Sequence, residues 1–344
     1  MKQPFFELST KVILQQYAQV QELCDEVSYS SKTNPAVTPI LEKETGSLFS
    51  VHLMNELKNI KNHSRVLFLA QAWTPDILAN LLAKGICRFV VDNEPDLHVL
   101  TTYLENNPDI QIKQLLLRIK LKENTLKTEK YFVFGMPLVK VRKHLAALKG
   151  NMQIESLGIH FHRKTQNIAE WNLREELEDM FPSLDGIDCI NIGGGLPAMY
   201  ANTNRNVMHS IKRQIRELKE WLQEQNISLM IEPGRFIAAP AGTLHAHILS
   251  TYENNIILDV SVYNSDMDAL IVPVKLRIQG EKQKGEAPAY AVKGITPCSL
   301  DLFRYKVYLQ NPQVGDQIVF LDAGAYNFTT NFVDLDEVPT TVTE

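Results

Sequence analysis

One lysine, Lys32, follows the β-prone run Ser28-Tyr29-Ser30-Ser31 and precedes a chain-stiffening Pro35. A lysine amine is mostly protonated at neutral pH. Partly desolvated, or set near other cations, it becomes a nucleophile able to condense with an aldehyde. Alone, Lys32 would read as a surface charge. Further along stand Gly158-Ile159-His160-Phe161-His162, Asn191-Ile192-Gly193-Gly194-Gly195, Ile231-Glu232-Pro233-Gly234-Arg235 and Gly324-Ala325-Tyr326. Glycines after an apolar run let backbone N–H groups approach a phosphate closely, although a triplet by itself marks only a tight turn. His160 and His162, two residues apart on a strand, share one face. Glu232 places a carboxylate just before a Pro-Gly turn.

The elements that must position these residues repeat. Short β-prone runs fall at Val27–Ser31, Leu48–Val51, Val66–Ala70, Phe89–Asp92, Leu115–Ile119, Leu157–Phe161, Cys189–Ile192 and Leu229–Glu232. Between them lie stretches such as Asn206–Gln225, with apolar residues at three- and four-residue spacing. Eight strand–helix units predict an α/β chain whose main body, residues 1–236, is a (β/α)8 TIM barrel. Lys32, Arg118, His162, the glycine triplet and Glu232 then fall at strand ends on one rim. After Arg235 the helical period gives way to β-rich runs at Thr243–Thr251, Ile256–Tyr263, Leu270–Ile278, Ala289–Val292 and Gln317–Leu321, predicting a separate β-domain over 237–344. Gln279–Glu286 reads as an exposed hairpin loop.

The 344 residues, 44% hydrophobic, exclude a disordered or fibrous chain. A formal charge of −5, with both signs interspersed, leaves no footprint for nucleic acid or an anionic membrane, so a small molecule is the expected partner. The N-terminus lacks a signal-peptide core, and no apolar run is long enough to span a bilayer, which places the expected location in the cytoplasm. Cys24, Cys87, Cys189 and Cys298 form no CxxC pair, so neither a metal site nor a disulfide framework is expected; the first three read as inert core thiols.

Taken in order, these motifs resemble the alanine-racemase-fold decarboxylases, the fold-type III pyridoxal-phosphate (PLP) enzymes acting on ornithine, arginine, diaminopimelate or carboxynorspermidine. The resemblance runs from about Pro4 to Phe332. It implies that Lys32 holds PLP and that Gly193, Gly194 and Gly195 bind its phosphate, with Gly234 and Arg235 nearby. It further implies that His162 stacks on the ring, that Tyr326 reaches the cofactor from the β-domain, and that Arg118 and Thr165 add contacts. Glu232 would keep the pyridine nitrogen protonated, the electron sink that decarboxylation needs. Gly294-Ile295-Thr296-Pro297-Cys298-Ser299-Leu300-Asp301 resembles the segment carrying a proton-donating cysteine, which in relatives enters the neighbouring subunit's site and so implies a homodimer.

Departures bear on the substrate. Counted from Gly294 and Asp301, the family's cysteine falls on Pro297. Either the loop shifts by one residue, or Cys298 replaces a specificity carboxylate. Ser50 stands where relatives often carry aspartate. Arg163 and Lys164 follow His162, two cations able to attract an anionic substrate end. Leu258–Asp268 is similar to a segment of carboxynorspermidine decarboxylases, which makes Asp259, Asp266 and Asp268, with Ser299 and Asp301, the expected substrate contacts. The reading is a decarboxylase of a diamino acid or carboxylated polyamine. The alternatives are a racemase of the same fold, disfavoured by Glu232, and a catalytically silent homologue that binds a partner.

Overall fold

The computed structural model describes residues 3–121, 134–204, 207–327, 330 and 332–344. The chain opens with β1 (Phe5–Ser9) and α1 (Thr10–Gln21). Eight strands follow: β2 (Glu26–Ser30), β3 (Leu48–Val51), β4 (Val66–Phe68), β5 (Arg88–Val91), β6 (Gln114–Arg118), β7 (Leu157–His160), β8 (Cys189–Asn191) and β9 (Ser228–Ile231). Each pairs in parallel with the next, and β9 closes on β2. The eight runs expected from sequence are these eight strands. The crossovers carry α2 (Thr38–Glu44), α3 (Pro75–Ala83), α4 (Glu94–Asn106), α5 (Leu138–Leu148), α6 (Leu173–Met180) and α7 (Val207–Gln223). Only β3 to β4 is bridged by 3-10 turns instead of an α-helix.

Local chemistry explains these elements. The side chains of Thr74 and Asn93 accept the N–H groups of Ile77 and Asp96, capping α3 and α4, each with proline in its first turn. In α7 the buried residues are Ile211, Ile215, Leu218 and Leu222, one stripe at helical spacing. Inside the barrel, Leu48, Leu67, Val90, Leu116, Cys189 and Met230 form an apolar layer. Gly158 belongs to the same packing, since a Cβ there would lie 2.1 Å from the Cys189 carbonyl oxygen. Side chains alternate along a strand. Two residues beyond that layer stand Ser50, Leu69, Asp92, Arg118, His160, Asn191 and Glu232, so an apolar floor carries a rim that is polar at every one of these positions but Leu69.

The second compact unit comprises residues 3–16, 198–204 and 235–344. It differs from the range 237–344 because β1 pairs antiparallel with β10 (Gly242–Tyr252), drawing the N-terminus into its sheet. The unit continues through α8 (Arg235–Ala238), β11 (Asn255–Leu258), α9 (Val262–Ser265), α10 (Asp268–Ile271), β12 (Arg277–Ile278), β13 (Ala289–Lys293), β14 (Leu302–Tyr308), β15 (Gln317–Leu321) and β16 (Thr340–Thr343). The sheet runs β12-β15-β10-β11-β13-β14, with β1 on β10 and β16 parallel to β1.

Two runs expected as strands are shorter than read. Beyond Leu258 and before Arg277 the chain turns into α9 and α10, because the Ser261 hydroxyl accepts the Tyr263 N–H while Asn264 accepts the Ser261 N–H, a capping box that starts a helix. The segment Gln279–Glu286 is no hairpin loop either: it joins β12 to β13, whose sheet partners are β15 and β11 with β14. Among the described residues no helix is long and apolar enough to cross a membrane.

Candidate active site

Glu232 sits just past β9, 6% exposed. Its Oε1 accepts the Asn191 amide at 2.9 Å, and its Oε2 lies 3.4 Å from His160 Nε2. Burial pushes this carboxyl upward. The charge and hydrogen bond of His160, the Asn191 amide and the charge of His52 outweigh it and hold Glu232 down at about 2. The barrel mouth thus contains a fixed carboxylate. Asn191 Oδ1 also accepts the Gly193 N–H at 2.8 Å, so one amide positions both the carboxylate and the start of the glycine turn.

Gly193 has φ +66°, and a Cβ there would lie 2.5 Å from the Phe161 carbonyl oxygen; at Gly194 it would lie 2.8 Å from the Glu232 carbonyl oxygen. The triplet therefore passes hard against the ends of β7 and β9. Its amides are partly committed, since Gly194 N–H donates to His162 Nδ1 at 3.1 Å. That bond puts the remaining imidazole proton on Nε2. Burial and the charges of Arg118 and His160 hold the His162 imidazole neutral, down at about 3. Arg118 ends β6, 3.2 Å from Asp92, with its guanidinium over the Phe134 ring. Burial lowers it despite the Asp92 and Glu232 carboxylates.

Lys32 lies on the turn Ser31–Thr33 directly after β2. Its charge is felt by His52, Glu56 and His162, which places it with this set. The shelter expected for its amine is absent from the described chain, because Lys32 is exposed. The reason is local: the turn buries Ser31 and Thr33 and leaves Lys32 exposed between them. Gly234 packs below the turn, where a Cβ would strike the Thr33 hydroxyl at 2.1 Å. His52, one step past β3, was not read as a site residue; burial, then Lys32, hold it down at about 3. Ser50 shares a 2.7 Å hydroxyl contact with Ser28 on the neighbouring strand.

The residues after His162 do not form an anion funnel. Arg163 is 3% exposed and is taken up by Glu170 and Glu176, while Lys164 lies 3.9 Å from Glu170. These pairs brace the loop, which Asn167 N–H ties to the Gly195 carbonyl at 2.9 Å. Thr165 lies half-buried in that loop.

In the sheet unit, Arg235 donates from Nη1 and Nη2 to both carboxylate oxygens of Asp268 and from Nη1 to the Tyr200 hydroxyl at 2.9 Å. Its guanidinium lies 4.9 Å from the Tyr326 ring centre. Burial lowers the Arg235 ionisation, but Asp268 and Tyr200 prevail and raise it. Asp268, expected to meet a substrate amine, is committed to this pair. Asp259 is likewise committed: its oxygens receive the His247 N–H at 2.7 Å and the ring Nδ1 at 3.0 Å. Asp301 accepts N–H groups from Val262 and Thr296, so it shapes loops. Asp266 is buried, and burial, then the Asp268 charge, push its carboxyl well above the usual range. A neutral acid makes a poor amine ligand. Ser299 is exposed and Cys298 half-buried. Of the three expected core thiols, Cys24 and Cys189 are buried while Cys87 is intermediate.

An eight-stranded parallel barrel with a lysine, a neutral histidine, a crowded glycine turn and a fixed carboxylate at its C-terminal rim is the architecture of a PLP-dependent barrel enzyme. The donor types present suit that cofactor: Lys32 would serve its aldehyde, the glycine turn its phosphate, His162 its ring face and Glu232 its nitrogen. A family model described as the pyridoxal binding domain of pyridoxal-dependent decarboxylases matches residues 10–239, more than half of the chain. The chain belongs to this family; it is a PLP-dependent amino-acid decarboxylase. It is similar to diaminopimelate decarboxylase of Bacteroides thetaiotaomicron, 24% identical over 362 aligned positions, covering 95% of this chain and 91% of the relative. It is also similar to carboxynorspermidine/carboxyspermidine decarboxylase of Campylobacter jejuni, 24% identical over 192 residues, 51% of this chain and 49% of the relative. The crystal structure of diaminopimelate decarboxylase from Helicobacter pylori, complexed with L-lysine, shares the fold with a TM-score of 0.84 at 20% identity, covering 100% of this chain and 92% of that one.

Proposed function

We propose that the protein removes the α-carboxylate of an amino acid bearing a second amine, or of a carboxylated polyamine, as a cytoplasmic homodimer. The observation that carries the reading is Glu232, held ionised at the barrel mouth by Asn191 and His160. Bound PLP supplies a protonated pyridine ring that draws away the electron pair left when CO₂ departs. Everything else is the work of this chain. Lys32 would hold the cofactor through its side-chain amine. His162, neutral and locked in one tautomer, presents a flat uncharged face. Glu232, as a carboxylate, would favour a proton on the ring nitrogen, the condition that sets a decarboxylase apart from a racemase of the same fold. Since the Gly193 and Gly194 amides are engaged by Asn191 and His162, the Gly195 amide is the one of the three assigned to the phosphate. Cys298 gives the final proton to the product carbon.

The substrate class follows the relatives, a diaminopimelate decarboxylase and a carboxynorspermidine/carboxyspermidine decarboxylase. The domain division at 236/237 is proposed as the functional one. Four free thiols suit a reducing cytoplasm.

The test is visible absorbance of the protein loaded with PLP, followed by CO₂ release from a panel of basic amino acids and carboxylated polyamines. A lysine-dependent cofactor band with CO₂ from one panel member supports the assignment and names the substrate. Cofactor binding that survives Lys32→Ala unchanged, with no CO₂ from any member, removes it. Light scattering of the same sample reads the dimer.

A further inference from the structure

The carboxylate of Asp301 joins two segments of the β-sheet unit. Its Oδ1 accepts the Val262 N–H at 2.9 Å, and its Oδ2 accepts the Thr296 N–H at 3.0 Å and the Thr296 hydroxyl at 2.7 Å. It occupies the space beside Gly294, where a Cβ would come within 2.0 Å of Oδ1. The Gly294-to-Asp301 spacing is therefore a folding device. One joined segment continues directly into Tyr263, and the other reaches Cys298 two residues after Thr296. Tyr263 Oη and Cys298 Sγ lie 3.0 Å apart.

The two partners differ in freedom. Tyr263 is 8% exposed, its ring packs on Phe332 at 4.1 Å, and its carbonyl accepts the Thr330 N–H at 3.0 Å. Cys298 is half-buried at the edge of an open hollow of about 660 Å³ that Tyr252, Lys293, Ser299 and Tyr305 help to line. A fixed hydroxyl thus holds a presented thiol. The Tyr263 hydrogen bond lowers the thiol and raises the phenol to about 12, the direction expected when the phenol O–H donates to sulfur.

We propose that Tyr263 is the positioning residue of Cys298, holding Sγ in one orientation and stabilising the thiolate formed when Cys298 protonates the product carbon. The proposal rests on the decarboxylase reading above. In the step, the S–H bond breaks as the C–H bond forms, and the negative charge stays on sulfur under the Tyr263 O–H. Tyr263 keeps its own proton, and water returns one to sulfur. The displaced register is thereby resolved: Cys298, one position beyond the family's cysteine, is the functional thiol because the Asp301 clamp brings that residue to Tyr263.

The experiment is iodoacetamide alkylation of the holoenzyme across pH, with each cysteine resolved by peptide mass. The charged groups around the pair are Asp301 on the Cys298 loop and Lys293 on β13, both retained. Tyr263→Phe removes one hydroxyl and keeps the ring on Phe332. It should move the Cys298 alkylation midpoint up by roughly half to one pH unit while leaving that of Cys87 in place. It should also lower kcat with KM unchanged, an effect that vanishes when Cys298→Ser is already present. An unmoved Cys298 midpoint overturns the pairing, and full turnover by Cys298→Ser overturns its role. Should no substrate release CO₂ at all, the decarboxylase reading fails separately, since the alkylation midpoint needs no turnover.

Discussion

Asp268→Asn separates a structural carboxylate from a substrate ligand. The replacement keeps the shape of the side chain and removes its charge. In the parent, Arg235 and Asp268 have side chains 4% and 5% exposed, two-pronged hydrogen bonding, and Tyr200 completing the guanidinium's contacts. Removing one partner of a buried pair leaves the other charge stranded, which costs about 3–5 kcal/mol. For a chain this long that corresponds to a fall in melting temperature of roughly 4–7 °C. Asp266 complicates the variant, since its acid is kept neutral partly by the Asp268 charge and could ionise to replace it. Asp266→Asn together with Asp268→Asn closes that route. Thermal unfolding of the PLP-loaded protein is the assay, with Arg235→Met plus Asp268→Leu as the control in which no charge is stranded. A melting temperature for the double asparagine variant within 2 °C of the parent, with a raised KM for a diamine substrate, would refute the structural assignment.

Three further outcomes are expected. Gly193→Ala forces a side chain into φ +66° and against the Phe161 carbonyl, so PLP affinity should fall about tenfold or more by absorbance titration; unchanged affinity would remove the glycine turn from the site. Gly294→Ala drives a methyl group into the Asp301 carboxylate and should abolish the low-pH alkylation of Cys298 while leaving PLP binding intact. His52 and His162 have folded ionisations depressed from 6.5 to about 3, so their neutral forms stabilise the fold above 6.5 and that contribution is lost as pH falls toward 3. Glu232, depressed from 4.5 to about 2, adds stability above 4.5 that is lost below it. Urea midpoints should therefore decline on acidification from pH 7, and His162→Gln should flatten the decline between 6.5 and 3; an identical slope would show that its imidazole is not held neutral.

The barrel was legible because each of its strands is a short apolar run bounded by turn residues, and hydrophobic periodicity is a local property. The sheet unit was less so. The strands β1 and β16 escaped notice because their partners lie far away in sequence, as Phe6 opposite Leu244 and Thr340 shows, and β14, although it pairs with neighbouring β13, carries Arg304 and Lys306 within its run. The segment after Leu258 looks β-prone residue by residue, yet the Ser261–Asn264 cap turns it helical. Among site residues, Lys32, His162 and Glu232 stood out by motif. Asn191 lay in a quoted motif without a role, and His52, Asp92, Tyr200 and Tyr263 were ordinary until contacts gave them partners.

Amino-acid order alone determined the number of barrel strands, the rim on which the reactive types fall, and the family those types define, because alternation and turn chemistry act over a few residues. It could not assign the acidic residues. Whether a carboxylate faces a substrate, clamps a loop or neutralises an arginine depends on which group occupies the few ångströms beside it. That group is Arg235 for Asp268, His247 for Asp259, and the Val262 and Thr296 amides for Asp301. Arg235 and Val262 come to Asp268 and Asp301 from segments 33 and 39 residues away, which only the tertiary fold brings together, and the same fold sets the Cys298 thiol beside the Tyr263 hydroxyl.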